Sequence, residues 1–74
     1  MIKLSRHAKR RMTERKVSEI EVETIISNPD YQEYELKDRM NSFKYINGRY
    51  VRVTHKEDLI VSVTVRKKPF NKER

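Results

Sequence analysis

The 74-residue chain has little of several residues on which small proteins often depend: no cysteine, no tryptophan, one glycine, two prolines and two histidines. Without cysteine there is neither a disulfide framework nor a thiolate zinc site. Gly48 is the only glycine, so a glycine-rich phosphate loop is absent. The histidines are His7 and His55, and the acidic residues lack metal-ligand spacing. We therefore expect no metal site and no cofactor.

Long apolar runs are also missing. The longest dense apolar stretch, Leu59 to Val65, is far shorter than the roughly 20 residues that a membrane-spanning helix needs. The first twelve residues have no apolar run after their charges, unlike a signal peptide. We therefore expect a cytoplasmic protein without a membrane partner. Its length predicts a single domain over residues 1–74, in which 67–74 form a basic tail.

Positive charge is what the chain has in excess. Eighteen Lys and Arg residues oppose eleven Asp and Glu residues, which gives a net charge of +7. The basic residues are concentrated in 3–16 and 66–74, at the two ends of the chain. Such a surplus attracts polyanions, so we expect a nucleic-acid partner, RNA in the first place. The alternative is that the charge serves solubility alone.

Two helices are predicted in the first half of the chain. Ser5 can cap a first helix over residues 6–16. Ser18 and Glu21 have the spacing of a capping box, so a second helix begins directly after Ser18. Pro29 ends that helix, because a proline disfavours the helical conformation of the residue before it.

After Pro29 the apolar residues alternate, which is typical of strands. The predicted strands are Tyr31 to Leu36 at an edge, Phe43 to Ile46, Arg49 to His55 and Leu59 to Arg66. The turns between them are predicted at Lys37 to Ser42, at Asn47-Gly48 and at Lys56 to Asp58. The predicted class is α+β, with two N-terminal helices packed on one face of a three- to four-stranded antiparallel sheet.

The turn at Lys56 to Asp58 also predicts a register for the last two strands. It pairs Val53 with Val61 and Val51 with Val63. The face covered by the helices then carries Val51, Val53, Leu59, Val61, Val63 and Val65. The opposite face carries Tyr50, Arg52, Thr54, Thr64 and Arg66, with Arg52 opposite Ser62 and Tyr50 opposite Thr64.

The first helix carries one candidate site. His7, Arg11 and Arg15 are spaced four residues apart and share one side of the helix. Lys9 and Arg10 are further candidates for nucleic-acid binding on the same helix. An imidazole at this position can act as a general base or orient a 2′-hydroxyl, and RNA itself supplies that hydroxyl as the nucleophile. The alternative is a solvated basic helix face that happens to include a histidine.

The polar sheet face carries a second candidate site. Tyr50 and Thr64 are candidates for positioning a nucleotide, and Arg52 and Arg66 for holding its phosphate. Further aromatic surface is available from Phe43 and Tyr45, and further charge from Lys67 and Lys68. The alternative is ordinary strand composition, in which tyrosine and threonine are common. His55 alternates with the strand valines, so we expect a structural role for it.

The motif His7-Ala8-x-x-Arg11-Met12-x-x-Arg15, followed by Val17-Ser18-x-x-Glu21-Val22, resembles the family called domain of unknown function 4258. Members of that family have a second helix that ends near Asn-Pro, which Asn28-Pro29 matches, and a last strand that ends in a motif similar to Thr64-Val65-Arg66. The resemblance covers nearly the whole chain. This chain departs from the family pattern at Lys16, where glycine is usual, and at Arg66, where an aromatic residue or histidine is common.

The resemblance implies the RelE/ParE-like toxin fold, because the family is grouped with small ribonuclease-like domains of that kind. It implies a metal-independent endoribonuclease that acts on RNA, including ribosome-associated mRNA, and an acidic antitoxin as protein partner. His7, Arg11, Arg15 and Thr64 are the residues that the motif carries over, and Arg66 completes the predicted catalytic set. The alternatives are a nucleic-acid-binding module without catalysis and a toxin-like protein that acts through a protein partner.

Overall fold

A computed structural model describes residues 2–69 of the chain. Its elements in chain order are β1 (Lys3–Leu4), α1 (Arg6–Arg15), α2 (Glu19–Ser27), β2 (Tyr31–Glu35), β3 (Arg39–Ile46), β4 (Arg49–Lys56) and β5 (Leu59–Arg66). The strands form one sheet in the order β1-β5-β4-β3-β2, and both helices pack on one face of it. The predicted α+β class with two N-terminal helices is thereby confirmed. Neither helix in residues 2–69 is long and apolar enough to cross a membrane.

The helix ends follow the predicted capping chemistry. The Ser5 hydroxyl accepts a hydrogen bond from the backbone N–H of Ala8 at 3.0 Å and begins α1. In the capping box of α2, Ser18 Oγ accepts from the Glu21 N–H at 3.1 Å and Glu21 Oε1 accepts from the Ser18 N–H at 2.8 Å. At the end of α1, Lys16 adopts a left-handed conformation with φ of 58°. That conformation suits glycine best, so Lys16 stands where a side chain is conformationally unfavourable.

The strand count and the pairing differ from the prediction. The sheet has five strands rather than three or four, and it is mixed because β1 runs parallel to β5. With only two residues, β1 is too short to produce an alternating pattern. The predicted turn at Lys37 to Ser42 is also wrong in its last four residues, because β3 already begins at Arg39. Asn41 and Ser42 are buried in β3 although both are polar, so the apolar alternation that would have indicated a strand is absent.

The predicted register of β4 and β5 is wrong by two residues. Val53 lies opposite Val63, and not opposite Val61. A bulge near Thr54 and His55 leaves Val61 as the extra residue of β5, because His55 pairs with Ile60 and Thr54 pairs with Ser62.

The bulge also changes which residue enters the core. Ile60 is fully buried, whereas Leu59, which was predicted on the covered face, is 43% exposed. The turn before it contains two residues rather than three, since Lys56 pairs directly with Leu59, and Glu57 takes a positive φ of 52°. No proline or glycine in that segment signals the change of register.

The core lies between the helices and the sheet. Its buried members are Ala8, Met12, Val17, Val22, Ile25, Val51, Val53, Ile60 and Val63. Arg49 connects the end of α1 and the first turn of α2 to the β3–β4 hairpin. Its guanidinium donates to the Arg15 carbonyl at 2.6 Å, to the Lys16 carbonyl at 3.2 Å and to Glu21 Oε2 at 3.4 Å.

Glu21 stands at the centre of this junction. The Ser18 backbone N–H is the main cause that holds the pKa of Glu21 below its ordinary value of 4.5, and the Asn47 amide and the Arg49 guanidinium act in the same direction. The ionised carboxylate therefore contributes to the packing of α2 against the hairpin.

Candidate nucleic-acid interface

One face of the sheet is left uncovered by the helices. Residues that lie directly opposite each other on neighbouring strands share a face, and the register pairs Tyr45 with Tyr50, Phe43 with Arg52 and Arg52 with Thr64. We call this surface the open face; it carries Asn41, Phe43, Tyr45, Tyr50, Arg52, Thr54, Ser62, Thr64 and Arg66. The error of two residues in the predicted register left these assignments intact, because side chains alternate between faces with a period of two.

Aromatic rings cluster on the open face near the β3–β4 hairpin. The ring centroids of Tyr45 and Tyr50 lie 4.7 Å apart, and those of Tyr31 and Phe43 lie 5.5 Å apart. An open, mostly apolar groove lies beside these rings, and we call it the aromatic groove. It is lined by Asp30, Tyr31, Phe43, Lys44, Tyr45, Tyr50, Val51 and Pro69. Rings on a solvent-facing groove offer flat surfaces on which unpaired bases can stack.

Asp30 and Lys44 are among the residues that line the aromatic groove, and their side chains form an ion pair; Lys44 lies opposite the buried Val51, on the helix-covered face. Asp30 Oδ2 accepts a hydrogen bond from the Tyr45 N–H at 3.0 Å, and Asp30 Oδ1 accepts from Lys44 Nζ at 3.3 Å. The Tyr45 N–H is the main cause that holds the pKa of Asp30 below its ordinary value of 3.8, and Lys44 acts in the same direction. The Asp30 side chain, 56% exposed, remains open to further hydrogen bonds.

A second groove lies between α1 and β5. It is lined by the predicted residues His7, Arg11, Arg15 and Thr64, together with Ser62 and Val63, and we call it the α1 groove. At the beginning of α1, Ser5 Oγ donates to the Val61 carbonyl at 3.2 Å. At the end of α1, the Arg15 carbonyl accepts a hydrogen bond from the Arg49 guanidinium. Because α1 therefore runs alongside β5, the helix side that carries the histidine meets the polar side of the strand.

Arg52 links the two grooves. It lies opposite Phe43 on one side and opposite Thr64 on the other. Its Nη2 donates to Thr64 Oγ1 at 3.3 Å, which orients the guanidinium toward the α1 groove. A strand of nucleic acid that lies across the open face would meet rings first, then Arg52, then the arginines of α1.

Other predicted residues lie apart from this surface. Lys9 lines a separate depression with Leu4 and Thr13 on another side of α1, and Arg10 is exposed on the solvent side of the helix. Arg66 lies opposite Tyr50, two residues beyond Thr64 and outside the lining of the α1 groove.

The predicted basic tail begins where β5 ends. Lys67 and Lys68 are exposed directly after the strand. The remainder of that tail, 70–74, lies outside the described residues. Within residues 2–69, no three His, Cys, Asp or Glu side chains lie close enough together to hold a metal ion.

His55 lies on the helix-covered face of the sheet, opposite the open face. It is buried, its Nδ1 is 3.1 Å from the Glu57 carbonyl, and its Nε2 is 2.8 Å from Ser42 Oγ. A carbonyl can only accept, so Nδ1 carries the proton and Nε2 accepts from Ser42. Ser42 in turn accepts from the Gln32 amide at 2.9 Å. Both ring nitrogens of His55 therefore have hydrogen-bond partners within the fold, as expected for a residue with a structural role.

Sequence reasoning missed five of the eight residues that line the aromatic groove: Asp30, Tyr31, Lys44, Val51 and Pro69. The pairing of Tyr45 with Tyr50 was accessible, since a two-residue turn at Asn47-Gly48 puts these tyrosines opposite each other. The pairing of β2 with β3 was not accessible, because the polar residues Asn41 and Ser42 interrupt the apolar alternation that indicates a strand. Without it, nothing in the sequence places Asp30 and Tyr31 beside Phe43 and Tyr45.

Two helices over one face of a mixed five-stranded sheet, with a basic and aromatic surface on the other face, define a small α+β domain. The chain belongs to the family described as Domain of unknown function (DUF4258), whose family model matches residues 4–68. The match extends from β1 to just beyond β5 and confirms the resemblance seen in the sequence motifs. No curated protein and no solved structure matches the chain.

Proposed function

We propose that this domain binds single-stranded RNA on the open face and cleaves it in the α1 groove without a metal ion, as an endoribonuclease of toxin type. The observation that carries the proposal is the meeting of His7, Arg11, Arg15 and Thr64 in one groove that Arg52 connects to the aromatic groove. An imidazole, two guanidinium groups and a hydroxyl are sufficient for attack of a 2′-hydroxyl on the neighbouring phosphate.

In the proposed reaction His7 takes the proton of the 2′-hydroxyl as its oxygen forms a bond to phosphorus. The bond from phosphorus to the 5′-oxygen breaks, and that oxygen takes a proton from water. The products are a 2′,3′-cyclic phosphate and a 5′-hydroxyl. Arg11 and Arg15 stabilise the charge on the pentavalent phosphorus, because guanidinium groups match the geometry of phosphate oxygens. Thr64 positions the phosphate.

The biological setting that we propose follows from the family resemblance. The fold would be related to the RelE/ParE-like toxins, the substrate would be cytoplasmic RNA, including mRNA on ribosomes, and an acidic antitoxin would cover the basic surface. The net charge of +7 supports both an RNA and an acidic protein partner. Expression in a bacterial host should then slow growth, and His7→Ala should relieve that effect.

The second candidate function is binding of RNA without cleavage. The observation in its favour is that His7 is exposed on the surface of α1, whereas catalytic groups commonly work where water is excluded. In this case the RNA strand would be bound in the same way, by Arg11, Arg15, Arg52 and Tyr50. His7 would be part of the contact surface without a catalytic role.

The experiment that separates these functions uses fluorescent single-stranded RNA in the presence of EDTA, with and without translating ribosomes. We expect fragments that end in a 2′,3′-cyclic phosphate, and no cleavage by a His7→Ala variant purified in parallel. A matched RNA with 2′-deoxy sugars throughout should bind equally and remain intact. Cleavage that persists in His7→Ala would contradict the assigned role of His7, whereas binding of intact RNA under every condition would leave only the second function.

A further inference from the structure

The open face carries the same order of side chains twice, in two neighbouring rows that cross the strands. Each row consists of two aromatic rings on adjacent strands and an arginine on the next strand toward β5. The first row is Tyr31, Phe43 and Arg52, and the second row is Tyr45, Tyr50 and Arg66. Each row therefore offers a flat apolar surface with a cation beside it, which is the combination that binds one nucleotide of a single strand.

The rings of both rows can be reached from solvent. Tyr31 is 51% exposed and Tyr45 is 54% exposed, while Phe43 and Tyr50 are half-buried beside them. The two ring planes are tilted by 42° in the first row and by 53° in the second row, so neither pair stacks flat on itself. A planar base can therefore lie against the face of the exposed ring, with the edge of the other ring next to it.

The spacing between the rows corresponds to one nucleotide step. Phe43 and Tyr45 are two residues apart on β3, and Tyr50 and Arg52 are two residues apart on β4. Two residues of a strand span about 7 Å, which is close to the distance between successive phosphates of an extended single strand. Arg66 lies one strand further along the sheet than Arg52, a shift of about 4.8 Å that the length of an arginine side chain covers. Consecutive nucleotides of one strand can thus occupy the two rows.

The arginine of the first row adjoins the α1 groove. Arg52 Nη2 donates to Thr64 Oγ1 at 3.3 Å, and Thr64 lines the α1 groove together with His7. Arg66, in the second row, lies outside that lining. Of two phosphates held by the two arginines, only the one at Arg52 is therefore next to the group that takes the proton in the proposed reaction.

We propose that the open face binds two consecutive unpaired nucleotides of RNA, one on each row, with each base against the rings and each phosphate at the arginine. The proposal rests on the proposed RNA binding and adds a footprint to it. The substrate class is RNA with two adjacent unpaired bases of any identity, because stacking accepts every base. Arg66 binds the phosphate of the second row, and the phosphate of the first row is the one that is cleaved.

The test uses six-unit 2′-O-methyl strands in which most units lack a base, so that the bases change while the phosphates stay the same. The 2′-O-methyl groups prevent cleavage, and fluorescence anisotropy therefore reports binding alone. We expect two adjacent uracils to bind about fivefold or more tightly than one uracil, and one uracil about fivefold or more tightly than none, from the stacking of each base. A third adjacent uracil should add a factor of about two at most, and two uracils at opposite ends should bind within about twofold of one.

Arg66→Gln distinguishes the second row from net charge. It should weaken binding of the strand with two adjacent uracils about fivefold at 0.1 M salt, as for loss of one phosphate contact. Lys56→Gln is the matched control, because Lys56 is exposed at the other end of β4 and its substitution removes the same charge. It should leave binding within a factor of about two.

Tyr45→Leu removes the exposed ring of the second row. It should reduce the gain from the second uracil to a factor of about two or less, because one of the two bases then loses its stacking surface. Thermal unfolding of each variant identifies a folding defect. The comparison of strands with the natural chain decides the size of the footprint without any variant.

The possible results distinguish this footprint from the proposed function. If the third uracil adds as much as the second, if separated uracils bind as tightly as adjacent ones, or if the bases have no effect, the two-nucleotide footprint is overturned and RNA binding stands. Equal effects of Arg66→Gln and Lys56→Gln, or an unchanged gain in Tyr45→Leu, overturn the assignment of the second row. If no strand binds, including one with six uracils, the proposed function fails and the footprint fails with it.

Discussion

Arg15→Gln is the substitution for which the structure gives the clearest quantitative expectation. Arg15 lines the α1 groove, whereas Arg10, on the same helix, is exposed on its solvent side. Both substitutions remove one positive charge and keep a good helix-forming residue. Arg10→Gln is therefore a matched control, which changes net charge equally and leaves the groove intact.

The magnitude follows from the release of counterions. For single-stranded nucleic acid, each phosphate that a cation neutralises adds about 0.7 to the slope of the logarithm of affinity against the logarithm of salt concentration. At 0.1 M salt one such contact contributes a factor of about 5, since 10 to the power 0.7 is about 5. We expect Arg15→Gln to bind a single-stranded RNA about fivefold more weakly and to lower the slope by about 0.7.

The assay is fluorescence anisotropy with one 2′-O-methyl RNA at salt concentrations from 50 to about 300 mM, a range over which such slopes are resolved. Arg10→Gln should leave both affinity and slope close to those of the natural chain. If Arg10→Gln and Arg15→Gln weaken binding equally, then net charge and not the α1 groove determines affinity. That result would refute the assignment of the surface.

Three further predictions concern a base contact, the bulge and the effect of acid. Tyr50→Ala should weaken binding of single-stranded RNA by about 1–3 kcal/mol through loss of stacking, measured by the same anisotropy assay. Ile60→Ala should lower the free energy of unfolding by about 2–5 kcal/mol, whereas Leu59→Ala should lower it by less than about 1 kcal/mol; urea denaturation that shows the reverse would contradict the bulge. Glu21 and Asp30 have pKa values below their ordinary 4.5 and 3.8. Carboxyls of this kind stabilise the fold above their unfolded-state pKa and lose that contribution as the pH falls through the folded-state pKa. Urea denaturation between pH 6 and about 2.5 should therefore show stability falling below pH 4.5, and the fall should be shallower in Glu21→Gln.

The local parts of the fold could be read from the sequence because short motifs determine them. Ser18 and Glu21 have the spacing of a capping box, and the structure contains both of its hydrogen bonds. Asn47 and Gly48 both take positive φ, as the predicted hairpin turn requires. The open face was assigned to the correct residues of β4 and β5, since alternation along a strand determines which side chains share a face.

The features that escaped prediction depend on contacts between distant parts of the chain. β1 forms by pairing with β5, next to which the Lys3 N–H donates to the Asp58 carbonyl at 2.8 Å. Ser42 can be buried because its hydroxyl forms a hydrogen bond with His55. Neither residue alone indicates that the two side chains meet. The bulge at Val61 has no local signal, yet it decides that Ile60 rather than Leu59 enters the core.

The candidate site likewise combines features that local sequence motifs predict with features that depend on contacts between distant parts of the chain. The α1 groove was half predicted, because His7, Arg11 and Arg15 have helical spacing, while their approach to Thr64 required the packing of α1 along β5. The acidic member of the aromatic groove, Asp30, lies thirteen residues before Phe43 in the chain but donates its backbone N–H to the Phe43 carbonyl at 2.8 Å. Only the pairing of β2 with β3 brings it there.

The most direct test of the proposed interface is a titration of the ¹⁵N-labelled protein with a 2′-O-methyl RNA, in which backbone amide shifts are followed residue by residue. The proposal predicts the largest changes on the open face and along the α1 groove, at Tyr45, Tyr50, Arg52 and Thr64 and around His7. Changes confined to α2 and the opposite side of the sheet, with none at these residues, would contradict it.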